Sequence, residues 1–534
     1  MIPLSQPQLK RMTAIHGWSA IFLGFLLYAV VITGAVAVFA PEIGRWSAGS
    51  AREKPALEGE IDPLIRALAA QVDPEFHEDI GIWNGEGRDL FVAFHTHRMN
   101  PETDEMSDFG AIFRVDSETG EVLARHDGFI WEEPANYEQS ALRSFLVDLH
   151  VQLYLPRPWG LILTGVLGLM MMAAVVTGFL MHKHLVRDLF VAERPGNRLV
   201  SVRDRHVLAS SWSLPFAFVL AFTGSFFSFA GTVGFPMLAY VAFDGDQEAM
   251  SEALFEAPVP EDTRPVPTAS LDAILADSTA RVGGAPADFL GMHHFGRADA
   301  RVTVWHRPDN GEMLWTANEY DGPRRVFLGA LPVFGTAPSV GGTIYGWMRP
   351  LHFGDFAGFF SQVIWGALGV AMCFVILSGI RLWLRKKPET PLWLGFGRAT
   401  QVVGYGLPIG MLASAYAFFV ARPALDTFLW TPLGFVVGAA AAIWIGLAVR
   451  DIDRLGKAYQ RLLAVLCLLL PVARLATGGM TWAEALMRGQ MDVLTVDLSL
   501  LVAGVVLWLF ARRAPAPAAA APKRAPRASM EPAE

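Results

Sequence analysis

Cysteine is nearly absent: the 534 residues contain only Cys373 and Cys467, and both lie in apolar runs. That excludes a disulfide framework and a thiolate metal site, and leaves the two thiols as small apolar fillers. No Rossmann-type glycine fingerprint and no P-loop occurs, so the chain carries no site of its own for NADPH or ATP. Charge is sparse as well. Asp, Glu, Lys and Arg make up 18% of the chain against 53% hydrophobic residues, and mean hydropathy is +0.35. A chain this long and this apolar is expected in a lipid bilayer, with no nucleic-acid partner. Histidine is the ligand type that remains, and none occurs after His352.

The charge that is present is sorted along the chain. Segment 46–150 holds 22 acidic and 8 basic residues, and segment 236–350 holds 15 and 8. The rest of the chain is therefore basic. Eight apolar runs of spanning length lie near 17–40, 159–182, 208–235, 359–384, 401–420, 430–449, 458–477 and 496–511. The seventh carries Arg474 near its end and the eighth is short. Basic residues gather before the first run (Lys10, Arg11) and in every even-numbered connection, for example Lys183, Arg187 and Arg194, then Arg385, Lys386 and Lys387. The positive-inside rule then places both termini in the cytoplasm and the two large acidic loops outside, in the periplasm of a Gram-negative inner membrane. The first run has a basic start like a signal peptide, but it is too long for one and is expected to stay as a helix. The Ala- and Pro-rich tail 514–534 is expected to be a disordered cytoplasmic end.

The runs repeat. His16 lies 17 residues before Thr33-Gly34, and His206 lies 17 before Thr223-Gly224. His150 lies 27 before Thr177-Gly178, and His352 lies 26 before Ser378-Gly379. Gly165 and Gly168 stand 12 and 9 residues before Thr177, as Gly366 and Gly369 do before Ser378. The unit is an apolar helix, a large loop and a second apolar helix, each helix preceded by a histidine. Because the first and third helices run the same way, the repeat is parallel, and equivalent residues fall at equal depth. His16 with His206 at the inner edge, and His150 with His352 toward the outer edge, are the pattern needed by two b haems, each held by one histidine from each half. The plainer alternative is that these histidines anchor helix ends at the interface. A straight helix from His150 to Thr177 would span roughly 40 Å, so Pro156 and Pro158 are expected to set His150 on a separate short helix. His352 follows Pro350 and is expected to do likewise. His182 and His184 are weaker candidates for the inner iron or for flanking haem propionates, and interfacial polarity accounts for them equally well. Arg381 and Arg385 read the same way.

The two acidic loops resemble each other. Ile61–Val72 and Leu271–Val282 read as amphipathic helices, each followed by alternating apolar residues (Leu90–His95, Val302–His306). Hairpin signals follow at Asp116–Gly120 and Asn310-Gly311. Two small α+β domains are expected. Their histidines (His95, His97, His293, His294, His306) are read as inert strand residues rather than ligands.

These features together resemble the PepSY-associated transmembrane family over about residues 8–390. The resemblance rests on His16-Gly17-Trp18 with Thr33-Gly34, on Arg205-His206 with Trp212 and Thr223-Gly224, on Leu351-His352-Phe353-Gly354, and on Ser378-Gly379-Ile380-Arg381-Leu382-Trp383-Leu384-Arg385. It implies a mainly α, polytopic membrane protein, with a tandem-repeat four-helix haem-binding core, two PepSY-like loop domains and about four extra C-terminal helices. The expected division is 1–45, loop domain 46–150, 151–235, loop domain 236–350, 351–390, an extension 391–513 and the tail 514–534. The resemblance further implies two haem b groups and reduction of a periplasmic ferric siderophore or another iron complex, with electrons from a cytoplasmic or quinol donor. Two other classes are open: a non-redox iron or siderophore transporter, and a PepSY-type binding or regulatory membrane protein. The first four helices carry few buried acids to couple transport, and a regulator leaves the matched histidines unexplained.

Overall fold

The computed structural model describes residues 5–48, 57, 60–101, 105–130, 140–181, 198–255, 260–308 and 313–513. In lipid every backbone N–H and C=O must be paired within the chain, so apolar runs of spanning length become helices. Among the described residues seven helices are long and apolar enough to cross a membrane, or eight if a bent pair is one span. The first run is that pair: α1 (Gln6–Phe22) and α2 (Gly24–Ala37), followed by the short α3 (Ala40–Ser47). Helix α4 (Asp62–Ala69) belongs to the first loop, and α5 (Ala141–Val151) leads out of it. Helix α6 (Trp159–Met181) is the second span. The third begins ten residues before its expected start, as α7 (Arg198–Phe229), and passes through a π-turn into α8 (Phe235–Ala242). The second loop contributes α9 (Gln247–Phe255), α10 (Leu271–Arg281) and α11 (Val340–Phe353). Helix α12 (Gly358–Leu384) is the fourth span. The extension is α13 (Pro391–Ala421), α14 (Thr427–Ala448), α15 (Ile452–Ala476), the short α16 (Trp482–Met487) and α17 (Met491–Arg512).

The two halves of the core pack across the repeat. Gly165 of α6 faces Ser228 and Phe229 of α7, and Gly366 of α12 faces Ala35 and Phe39 of the first half. A Cβ at Gly366 would stand 2.7 Å from the Phe39 ring. The matched glycines thus serve close helix approach.

The loops do not stand apart as two domains. Strands β1–β4 (Asp79–Asn84, Asp89–Asn100, Glu105–Asp116, Val122–Phe129) and β5–β8 (Ala287–His293, Arg301–His306, Thr316–Asp321, Val326–Leu331) form one antiparallel sheet in the order β4-β3-β2-β1-β5-β6-β7-β8. The halves meet at β1 and β5, where Gly81 lies opposite Gly291. Alternation sets one face of the sheet against α4 and α10. Ile80, Ile82, Val92, Phe94, Leu290 and Val304 pack there against Ile65, Leu68, Ile274 and Leu275. The two helices cap one another. Asp272 accepts from the Ile61 and Asp62 backbone N–H groups (2.8 and 3.1 Å), and Asp62 accepts from that of Leu271 (3.1 Å). Each carboxylate thus meets the positive end of the opposite helix. The expected turn at Asp116 forms, with its carboxylate accepting from the Glu118 and Thr119 N–H groups. The hairpin expected at Asn310-Gly311 lies outside the described residues.

His306 shows how this layer depends on protons. It is fully buried, its Nδ1 is 3.0 Å from the Ala285 carbonyl, and its Nε2 is 2.7 Å from the Ser278 hydroxyl. Ser278 accepts from Asn318 (3.0 Å), which leaves the serine proton for the imidazole. Burial pushes the His306 pKa below its usual 6.5. The unfolded chain therefore takes up this proton first as pH falls, so the stabilisation is complete above 6.5 and is lost below it. Protection of β5–β7 from hydrogen exchange, corrected for intrinsic rates, is expected to fall from pH 7.5 to 5.5, and His306→Gln is expected to flatten that slope. An unchanged slope in the variant contradicts this account.

Candidate functional site between the four core helices

Each of the four repeat-related histidines rests on a Thr/Ser-Gly dipeptide of another helix. His150 sits on α5 and packs on Gly34 of α2; His352 sits in the last turn of α11 and packs on Gly224 of α7. His16 of α1 packs on Gly178 of α6, and His206 of α7 packs on Gly379 of α12. The dipeptides that mark the repeat in the sequence are thus seats, and the pairing is reciprocal within each half. Glycine lets the imidazole lie against the backbone of the seat helix.

A hydroxyl or carbonyl of the seat helix engages Nδ1 of every one of these rings. His150 Nδ1 is 2.9 Å from the Val30 carbonyl, which can only accept. His352 Nδ1 is 2.9 Å from the Thr223 hydroxyl, whose own proton goes to the Val219 carbonyl (2.8 Å). His206 Nδ1 is 2.9 Å from the Ser378 hydroxyl, which donates to Val375 (3.1 Å). His16 Nδ1 lies 3.1 Å from the Ala174 carbonyl and 3.2 Å from the Thr177 hydroxyl, which donates to Ala173 (2.7 Å). For His150 and His16 a carbonyl, which can only accept, makes Nδ1–H the donor and leaves the lone pair on Nε2; for His352 and His206 Nδ1 is engaged by a hydroxyl. A metal-binding imidazole is oriented in the same way, by an outer acceptor on its other nitrogen.

His150 and His352, from opposite halves, come together. Their ring centroids are 6.2 Å apart with an interplanar angle of 23°. Two imidazoles bound to one iron, each at about 2.0–2.1 Å, place their centroids about 6.3 Å apart. Both rings line a partly open, apolar cavity between the core helices. Val31, Ala35, Leu220 and Met372 contribute to its wall, and Gly168 and Gly369 line it where helices approach closely. An apolar wall and two imidazoles from opposite halves make this the place where a flat tetrapyrrole could be held. The helices that carry His150 and His352 are both short and separate, as the prolines suggested. Helix α5 ends before Pro156 and Pro158. Helix α11 contains Pro350 and is stopped by Gly354 at φ +71°.

His16 and His206 are seated near the C-terminal ends of α6 and α12, on Gly178 and Gly379. His182 and His184 lie outside the described residues. The strand histidines hold other side chains: His293 and His97 (3.7 Å) pair with Asp79, His97 also with Asp108 (3.3 Å), and His294 with Asp299 (3.2 Å). Among the described residues no group of three or more His, Cys, Asp or Glu side chains is arranged to hold a metal ion. A porphyrin brings four nitrogens of its own and asks the protein for two, and among the four seated histidines His150 and His352 stand at that spacing.

The family profile described as "PepSY-associated TM region" matches residues 13–386. That span covers the core and both loops and ends before the extension. The chain is also 27% identical over 391 residues to the "Uncharacterized protein PA4219" of Pseudomonas aeruginosa, covering 70% of this chain and 96% of that one.

Proposed function

This chain belongs to the PepSY-associated TM region family, and from that premise we propose that it is an inner-membrane di-haem b electron-transfer protein. His150 and His352 would hold one haem, and His16 and His206 the other. A haem so held supplies reversible one-electron redox chemistry. The carrying observation is that His150 and His352, from opposite halves, bring their ring centroids to 6.2 Å with Nδ1 of each ring engaged, so that Nε2 would serve iron.

The chain's own groups do the tuning. The carbonyl of Val30 and the hydroxyl of Thr223 make the sheet-side imidazoles more basic, and the apolar wall excludes water. With the positive-inside orientation, the sheet lies in the periplasm and the His16 and His206 level faces the cytoplasm. Electrons would enter from a cytoplasmic or quinol donor and leave toward a periplasmic ferric siderophore or another iron complex. Each ferric ion takes one electron, so one quinol serves two. Reduction weakens the hold of hard oxygen ligands on the iron and favours its release.

The test is a reduced-minus-oxidised spectrum of the protein purified in detergent, with a haem count per chain. Two b haems are expected, with one lost in His352→Ala and the other in His16→Ala. A colourless preparation from haem-replete cells overturns the proposal.

A further inference from the structure

The extension after residue 390 lies beyond the matched family region, and its contacts are concentrated on one half of the core. One buried cluster joins Leu142, Phe145, Leu146 and Leu149 of α5 to Met411, Ala415, Phe418 and Phe419 of α13 and to Leu470 of α15. Phe145 also meets Phe435 of α14, with ring centroids 5.5 Å apart. Around this cluster, polar contacts tie α3 to the same helices. Trp46 donates to Asp497 of α17 (2.8 Å), Arg45 pairs with Asp492, and Arg422 donates to the Ser47 carbonyl (3.0 Å). Helix α5 is an eleven-residue element between the sheet and α6, and it carries His150 in its last turn.

Its counterpart α11 is supported differently. Leu314 and Val333 of the second loop approach Gly346, Arg349 lies over the Trp315 ring (4.6 Å), and Tyr345 meets Phe226 of α7 (5.9 Å). No buried member of the α5 cluster comes from α11.

We infer that the C-terminal helices are a one-sided brace for the sheet-side site: they fix α5, and through it His150, so that the two opposed histidines are held with unequal firmness. Residues of α13, α14 and α15 act here through α5 and are positioning residues. The inner acceptors differ in the same sense, a fixed backbone carbonyl for His150 and a rotatable hydroxyl for His352. The physical basis is that a short helix has little stability of its own and takes its position from the surface it packs on. The inference rests on the reading of His150 as an iron ligand, but its structural half does not.

The experiment uses the full-length protein with Phe435→Ala, and Phe435→Leu as the conservative partner. Hydrogen exchange over 141–151 is expected to quicken by about tenfold or more in Phe435→Ala, to return toward the parent rate in Phe435→Leu, and to stay unchanged over 340–353. In the reduced protein, carbon monoxide is expected to bind about half of the haem in Phe435→Ala and little in the parent or in Phe435→Leu, because only the His150 side has been loosened. Equal exchange in parent and Phe435→Ala, or equal quickening of both segments, overturns the inference. So does carbon monoxide binding that the substitution leaves unmoved. If Phe435→Ala does not fold, Leu149→Ala is read in the same way from the α5 side. A parent protein without haem defeats the functional proposal but leaves the exchange comparison intact.

Discussion

Replacing Asp497 with alanine is expected to destabilise the protein by about 3–5 kcal/mol and to detach the extension from the core. Asp497 and Arg474 are both fully buried. The carboxylate accepts from Arg474 Nη2 (2.7 Å), from the Trp46 indole (2.8 Å) and from the Trp482 indole (2.9 Å), and Arg474 also donates to the Met480 carbonyl (2.8 Å). Four chain segments thus converge on one carboxylate. Truncating it strands a guanidinium and two indole N–H groups where no water can replace the lost partner. Asp497→Asn keeps one acceptor oxygen and is expected to lose less. The pair Arg474→Met with Asp497→Leu removes both charges and is expected to recover most of the loss, since a buried ion pair gains little over well-packed apolar groups. Reversible unfolding in detergent, run as a double-mutant cycle, measures each term. An Asp497→Ala protein within about 0.5 kcal/mol of the parent would show that water reaches the site.

The same two residues mark where the sequence was hard to read. Arg474 lowers the apparent apolarity of the seventh run and Asp497 lies inside the short eighth, so each looks like a flaw until the helices are set side by side. Span number was legible because it depends on local composition alone. The short helix carrying His150 was legible because prolines limit a helix locally. Helices α4 and α10 and parts of strands β2 and β6 were legible from their periodicity, while the other strands were not singled out. The joining of the loops into one sheet was not, because the register of Asp79 opposite His293 depends on strands more than 200 positions apart. The candidate ligands were visible as matched spacings, and so were the Thr/Ser-Gly dipeptides. That each dipeptide receives a histidine from the other helix of its half required the packed structure, since Thr177 and His16 are 161 positions apart. The one-sided contact of the extension had no sequence signal, as nothing in its apolar surface names the helix it covers.

The four seats differ in how much room they leave, and that difference predicts a graded response to a single methyl group. A Cβ at Gly34 would lie 2.7 Å from His150 Cε1; at Gly224 it would lie 3.1 Å from His352, at Gly379 3.2 Å from His206, and at Gly178 3.6 Å from His16. The first distance is a collision, the next two are tight, and the last is ordinary contact. His150 also has the least freedom to retreat, because Val30 holds its Nδ1 and the extension holds its helix. Gly34→Ala is therefore expected to lose the haem of the His150 and His352 pair, about half the total, and to lower its ligand-field strength in whatever fraction remains. Gly224→Ala and Gly379→Ala are expected to shift the spectrum or potential of one haem while retaining it, and Gly178→Ala is expected to match the parent. Haem content per folded chain, with folding checked by the elution profile, ranks the four variants. The order matters more than the size of any one effect. If Gly178→Ala does as much harm as Gly34→Ala, the imidazoles do not rest on these glycines in the working protein, and the placement of iron between His150 and His352 loses its geometric basis.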